Sequence, residues 1–219
     1  MSEPTPSPRW PVVLFDLDGT LVNTIPLILE SYRHAFRTVL GEEPEEAAAR
    51  SWIGRPLLTH FREDRPEHAD ELDRVYREWN LANTERLIER FEGVPELVAE
   101  VAAAGAQVGV VTSKRRETAL VALRLAGLEG AIDVVGAMED TTAHKPDPEP
   151  LLAALDRLGA RPQDAVYVGD ATVDLLAAQA AGVASVAVTW GAGVADTLEH
   201  VGPDHLVGTV PELRAVLLP

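Results

Sequence analysis

Five short valine-rich apolar runs, at residues 12–15, 108–112, 132–135, 165–168 and 185–189, constrain this chain more than any other feature. They are near-continuous rather than alternating, so both faces of each strand must be buried, as in a parallel sheet with helices on both sides. A shorter sixth candidate lies at 205–207. The segments between them read as helices, and four of these stop at a glycine: 95–104 at Gly105, 118–126 at Gly127, 149–158 at Gly159 and 172–181 at Gly182. Repeated strand–helix units of this kind predict an α/β fold. With 219 residues, 46% of them hydrophobic, the chain can bury the core such a sheet needs.

One interval breaks the rhythm. Between the first and second strands the chain runs far beyond the roughly dozen residues a crossover requires. Residues 25–40 place Ile28, Tyr32, Ala35, Phe36 and Val39 at helical spacing, and 72–91 does the same with Leu72, Val75, Tyr76 and Trp79. No strand pattern is visible there. The spacing predicts an α-helical insert over 25–91, with the sheet-bearing core formed by 10–24 and 92–219. An insert at the C-terminal end of a strand lies over the ligand crevice of such a sheet and can serve as a lid. "EEPEEAAAR" within it reads as a solvated helix start, and Trp52, Trp79 and Trp190 as packing residues.

Composition narrows the partners. The net charge of −16 speaks against nucleic acid and anionic membrane surfaces. The absence of cysteine excludes disulfides, thiolate zinc sites and cysteine nucleophiles. No apolar run approaches the roughly 18 residues of a membrane span. Residues 1–9 are polar and proline-rich without the apolar stretch of a signal peptide, so a disordered tail and a cytoplasmic location are expected. Nothing in the sequence chooses between a monomer and a homodimer. Seventeen arginines stand against two lysines, Lys114 and Lys145. Ammonium and guanidinium are not interchangeable, so either those two positions require lysine or the skew is chance.

The polar residues that interrupt the apolar runs converge. The first strand ends in Asp16 and Asp18, the second in Thr112 and Ser113, and the fourth in Asp170, with Asp174 following; Lys145 precedes the helix at 149–158. The C-terminal ends of parallel strands share one edge, where ligands bind. Asp16, Asp18 and Asp170 together carry too much negative charge to stand unpaired, and a hard divalent cation such as magnesium is the natural partner. Thr112 and Ser113 offer donors to phosphate, Lys145 a positive charge, Gly19 a sharp turn beside the carboxylates, and Thr20 a hydroxyl for Asp18. Such a set suits phosphoryl transfer to a carboxylate.

"DLDGTLVNT", "VVTS", "HKPDP" and "VGDATVD" resemble, in order and spacing, the four motifs of the haloacid dehalogenase-like hydrolase superfamily, over nearly the whole chain from Trp10. The insert resembles the helical cap of the subfamily that places it between the first and second motifs. The resemblance implies a Rossmann-like core with strand order 5-4-1-2-3. It implies Asp16 as a nucleophile that forms an aspartyl-phosphate, and Asp18 as the acid/base. It implies magnesium held by Asp16, the Asp18 carbonyl and Asp170 with Asp174 in support, phosphate bound by Thr112, and Lys145 steadying nucleophile and phosphate. A halide leaving group needs no proton, so Asp18 favours a phosphatase over a dehalogenase. Asn23 departs from the aspartate of many relatives. "WIGRPL", "YREWN", "FEGVPELVAEV" and "GVVTSKRRETA" further resemble bacterial pyrophosphatases and phosphoglycolate phosphatases.

Arg55 and Lys114 are candidates for a second anionic group on a small phosphorylated substrate, pyrophosphate or phosphoglycolate alike; the run 114–116 equally suits a solvated helix start. Asp174 equally suits a first-turn acid favoured by the helix dipole. A phosphomutase of the β-phosphoglucomutase type, or a binding member without catalysis, would use the same core.

Overall fold

The computed structural model describes residues 8–218. Of the expected tail, residues 1–7 lie outside the described residues, while the Arg9 N–H donates to Leu217 O at 3.0 Å. In chain order the elements are β1 (Val12–Phe15), β2 (Val22–Asn23), α1 (Ile25–Leu40), α2 (Glu46–Ser51), α3 (Leu57–Asp64), α4 (Ala69–Leu87), β3 (Glu89–Arg90), α5 (Val94–Ala103) and β4 (Gln107–Val111). They continue with α6 (Arg116–Ala126), β5 (Asp133–Gly136), α7 (Glu149–Leu158), β6 (Ala165–Gly169), α8 (Thr172–Ala181), β7 (Ala184–Val188), α9 (Ala195–Val201), β8 (His205–Val207) and α10 (Val210–Leu217).

Six strands form one parallel sheet in the order β5-β4-β1-β6-β7-β8. Counting its strands alone, this is the expected 5-4-1-2-3 arrangement with the sixth candidate added at an edge. The central strand β1 pairs with β4 through Phe15↔Val110 and with β6 through Phe15↔Val168. Val13 and Phe15 point to one face, toward Val98, Val101 and Leu123; Val12 and Leu14 point to the other, toward Leu151, Leu155 and Tyr167. Burial on both faces is why these strands show no alternation. Strand ends differ from the sequence reading by a residue: β4 stops at Val111 and leaves Thr112 just beyond the ladder.

Helices α1 to α4 lie between β1 and β4. Ile28, Tyr32, Phe36, Trp52, Phe61 and Leu72 pack them into one cluster, which Ala192 of the core joins. Two points correct the sequence reading. The interval contains strand after all, a two-residue antiparallel ribbon pairing Val22 with Arg90 and Asn23 with Glu89 where the chain leaves and re-enters the core. And α4 spans Ala69–Leu87 rather than running to 91, because the next residues extend to make that ribbon. The Asn23 side-chain N–H donates to Glu89 Oε2 across it at 2.9 Å. Residues 46–51 are helical, as the acidic stretch predicts.

Candidate active site

The register of β1 places Asp16 at the centre of the sheet edge. Its N–H donates to Val168 O at 2.8 Å, which sets it beside the end of β6, while Thr112 emerges from β4 on the other side with its N–H donating to Gly136 O. After Asp16 the chain turns tightly, with the N–H groups of Leu21 and Val22 both donating to Leu17 O. Gly19 makes the turn at φ 82°, and a Cβ there would sit 2.3 Å from Asp170 Oδ2. Glycine is required both for the backbone conformation and for the approach of the carboxylate.

Lys145 lies beneath this edge, 3% exposed. Its ammonium donates to Asp16 Oδ1 at 2.7 Å, Asp174 Oδ1 at 2.6 Å and the Tyr167 hydroxyl at 2.9 Å. Three donors meet three acceptors, which is the full capacity of an ammonium. Tyr167 passes its own proton to Val111 O at 2.8 Å. Asp174 Oδ2 accepts from the Ala171 N–H at the start of α8 at 3.0 Å, so this residue is both a first-turn acid and a member of the buried cluster. Burial pulls the Lys145 ammonium toward losing its proton, but Asp16 and Asp174 outweigh this and hold it well above its ordinary range.

Asp16, Asp170 and Asp174 bring one oxygen each within 4.8 Å of one another, all buried. Burial pushes the Asp16 carboxyl up to about 7 against the attraction of Lys145, with Asp174 and Asp18 adding to the rise. Asp170 is pushed well above the carboxylate range by burial and by Asp174 and Asp16. With all three ionised, three carboxylates against one ammonium would leave two negative charges at a buried site; burial and that excess together raise Asp16 and Asp170. Oxygen donors alone, carrying the charge a divalent cation neutralises, fit a hard ion such as magnesium. Asp174, expected as support, places its own oxygen in this cluster, whereas the Asp18 carboxylate stands outside it.

Asp18 faces the other way. Its two oxygens accept from the Lys114 ammonium at 2.9 and 3.1 Å. Both line a cavity of about 280 Å³ between the sheet edge and the insert, walled below by Asp16, Asp18, Thr112 and Lys114 and above by Tyr32, Arg55, Tyr76 and Arg77. Thr112 is 5% exposed and accepts from the Lys114 N–H at 3.1 Å. Ser113 contributes to the floor, but its hydroxyl donates to Gly54 O of the insert at 2.8 Å, so that proton is committed. Arg55 reaches the cavity while pairing outward with Glu63 at 2.6 Å. The basic run divides: Lys114 turns to Asp18, and Arg116 turns away to Asp140.

Thr20 differs from the sequence reading. Its hydroxyl donates to Asp170 Oδ1 at 2.9 Å, not to Asp18, because the turn at Gly19 carries it back over the end of β6. The sequence reading also missed Tyr167, which sits inside an apolar strand and looks like packing, and the main-chain N–H of Ala192, which donates to Asp170 Oδ2 at 2.7 Å. A backbone donor leaves no residue type to read; the only trace was the glycine pair in "WGAG" after a strand.

The family model described as haloacid dehalogenase-like hydrolase matches residues 13–188. A protein named pyrophosphatase PpaX from Halalkalibacterium halodurans is 38% identical over 205 residues, 94% of this chain and 95% of that protein. Among solved structures, a Bacteroides fragilis protein inferred to be a haloacid dehalogenase-like hydrolase superposes with a TM-score of 0.82 at 29% identity, covering 94% of this chain and 100% of that one. A Lactobacillus plantarum protein inferred to be a phosphoglycolate phosphatase superposes with a TM-score of 0.83 at 25% identity, covering 95% and 99%. Among the described residues no helix is long and apolar enough to cross a membrane. A sheet of this order, with its acidic cluster at the central strand end and a helical insert above it, agrees with that match along nearly its whole length: the chain belongs to the haloacid dehalogenase-like hydrolase family, among its phosphatases.

Proposed function

We propose that the protein is a magnesium-dependent phosphatase that works through an aspartyl-phosphate on Asp16, with inorganic pyrophosphate as its substrate or a small phosphorylated metabolite with a second anionic group, such as 2-phosphoglycolate. The observation that carries this reading is the division between the two aspartates. Asp16 is 2% exposed and held by Lys145 through one oxygen, while Asp18 opens onto the cavity against Lys114.

Lys145 fixes the plane of the Asp16 carboxylate, which attacks phosphorus as the bond to the leaving oxygen breaks. Asp18 gives that oxygen a proton, then takes one from the water that hydrolyses the acyl-phosphate and restores Asp16. Thr112 offers its hydroxyl to the transferred phosphoryl group. Asp16, Asp170 and the Asp18 backbone carbonyl would hold magnesium, with Asp174 in support; when bound, the ion offsets the buried negative charge and the charge on the phosphoryl oxygens. Lys114 and Arg55, by exchanging their partners Asp18 and Glu63, would supply positive charge to a second anion, which an anhydride or a phosphocarboxylate has and a simple aryl phosphate lacks. The relatives named pyrophosphatase support the anhydride.

The test is phosphate release from pyrophosphate, 2-phosphoglycolate, sugar phosphates, nucleotides and an aryl phosphate, with and without magnesium. A kcat/KM of about 10⁴ M⁻¹s⁻¹ or more for one two-anion compound, lost without magnesium and in Asp16→Asn, is the expected result. Isomerisation of a sugar phosphate without net phosphate release would overturn it in favour of a mutase.

A further inference from the structure

The three clustered carboxylates are not held alike. Asp16 and Asp174 are pinned by the Lys145 ammonium, whereas Asp170 touches no cationic side chain among the described residues. Its orientation rests on neutral donors. Thr20 Oγ1 donates to Oδ1 at 2.9 Å and the Ala192 N–H to Oδ2 at 2.7 Å, and the Trp190 ring N–H donates to Thr20 O at 3.2 Å. The loop at 190–193 therefore holds the carboxylate from one side directly and from the other through Thr20.

The approach is possible because Gly191 and Gly193, on either side of Ala192, carry no side chain. A Cβ at Gly191 would lie 2.1 Å from Asp170 Oδ2, and one at Gly193 would lie 2.1 Å from Asp170 O. Real Cβ atoms do not come so close, so any larger residue must push the carboxylate or the loop aside. The same loop touches the insert. Ala192 packs in the cluster that contains Ile25 and Ile28, and the Trp190 ring meets Phe91, next to β3, edge-on at 6.2 Å.

We infer that residues 190–193 are a positioning element for Asp170, and that Gly191, the Ala192 N–H and Trp190 set the affinity of the acidic cluster for its divalent cation. This rests on reading the cluster as a metal site. One donor on each oxygen fixes the carboxylate plane and leaves each oxygen a further lone pair for the ion. Partners that orient a metal ligand in this way typically control affinity by about 10–100-fold.

The experiment uses the full chain and manganese as a spectroscopic probe, with free and bound Mn2+ counted by electron paramagnetic resonance. Thermal melts in EDTA report the fold, and magnesium titrations report activity. Gly191→Ala is expected to weaken Mn2+ binding about 10–100-fold and to raise the magnesium needed for half-maximal activity in step, with kcat at saturating magnesium within a few fold of wild type. Trp190→Phe keeps an aromatic ring and removes the donor, and is expected to act in the same direction by a few fold. Gly208→Ala, where the nearest atoms to a new Cβ lie at 3.6 Å, is expected to change nothing. Mn2+ affinity within about two-fold of wild type in both loop variants overturns the inference. Should Gly191→Ala fail to fold, an unchanged affinity in Trp190→Phe overturns it. A wild-type chain that binds no Mn2+ overturns the metal reading beneath it, and the two failures are thereby distinguished.

Discussion

The sheet edge and the helical insert use charged residues in opposite ways. At the edge, Lys145 meets Asp16 and Asp174 with all three side chains at most 3% exposed. On the insert, Arg74–Glu78 and Arg37–Glu43 each have both side chains more than half exposed, and in Arg50–Glu46 both are at least 40% exposed. Both lysines of the chain lie at the candidate site, Lys145 below and Lys114 at the cavity wall, while the insert's pairs are made by arginine. A buried charge is expensive to remove from water and persists where a ligand or a reaction needs it. A solvated pair costs little and contributes little. The comparison separates the buried charges of the candidate site from those that keep the surface wet.

The sharpest way to break that comparison is at its centre. Asp16→Asn is expected to lower kcat on the order of 10⁴-fold or more in a phosphate-release assay, with little change in fold, because the amide cannot attack phosphorus. Lys145→Ala should cost about 3–5 kcal/mol of stability by urea denaturation, because it strands two buried carboxylates. Lys114→Ala is expected to raise KM for pyrophosphate about ten-fold, about 1.4 kcal/mol, and to change aryl phosphate turnover less.

Asp140 is an intermediate case that sharpens the contrast. The Arg157 side chain, opposed by burial and helped by the Ala137 N–H and Arg116, holds its carboxyl below the usual range. Asp140→Asn should cost about 1 kcal/mol at neutral pH. A depressed folded pKa stabilises in full above the ordinary carboxylate pKa of about 4, and the benefit is lost as pH falls through the folded value. The gap between variant and wild type in thermal melts should therefore close in acid. Arg74→Ala, on the insert, is expected to shift stability by no more than about 0.5 kcal/mol. A larger cost there than at Lys145 would erase the distinction between the two regions.

Much of the candidate site's membership was legible because the residues the fold gathers there are polar types at strand ends. Asp16, Asp18, Thr112, Lys145 and Asp170 interrupt apolar runs, and such interruptions are costly without a purpose. What was not legible is carried by backbone or by residues with an ordinary alternative. Tyr167 fits a buried strand as well as it fits a hydrogen bond to Lys145. The ribbon of Val22–Asn23 and Glu89–Arg90 is too short to show a period. That the Ser113 hydroxyl donates to Gly54 O at 2.8 Å, 59 positions away, is equally invisible along the chain.

The sequence by itself determined the parallel sheet, the helical character of the insert and the acidic strand end, because periodicity, glycine stops and misplaced charge are local properties of the chain. Only the tertiary structure decided which oxygens face one another. It turned Thr20 and the Ala192 N–H onto Asp170, gathered Asp174 into the cluster and set Asp18 against Lys114 at the cavity. The Thr20–Asp170 and Lys114–Asp18 contacts join residues 150 and 96 positions apart, and the Ala192 contact runs through a main-chain N–H that every residue type but proline shares. Pattern along the chain has no means of expressing them; sheet register and the close approach allowed at Gly19 and Gly191 do.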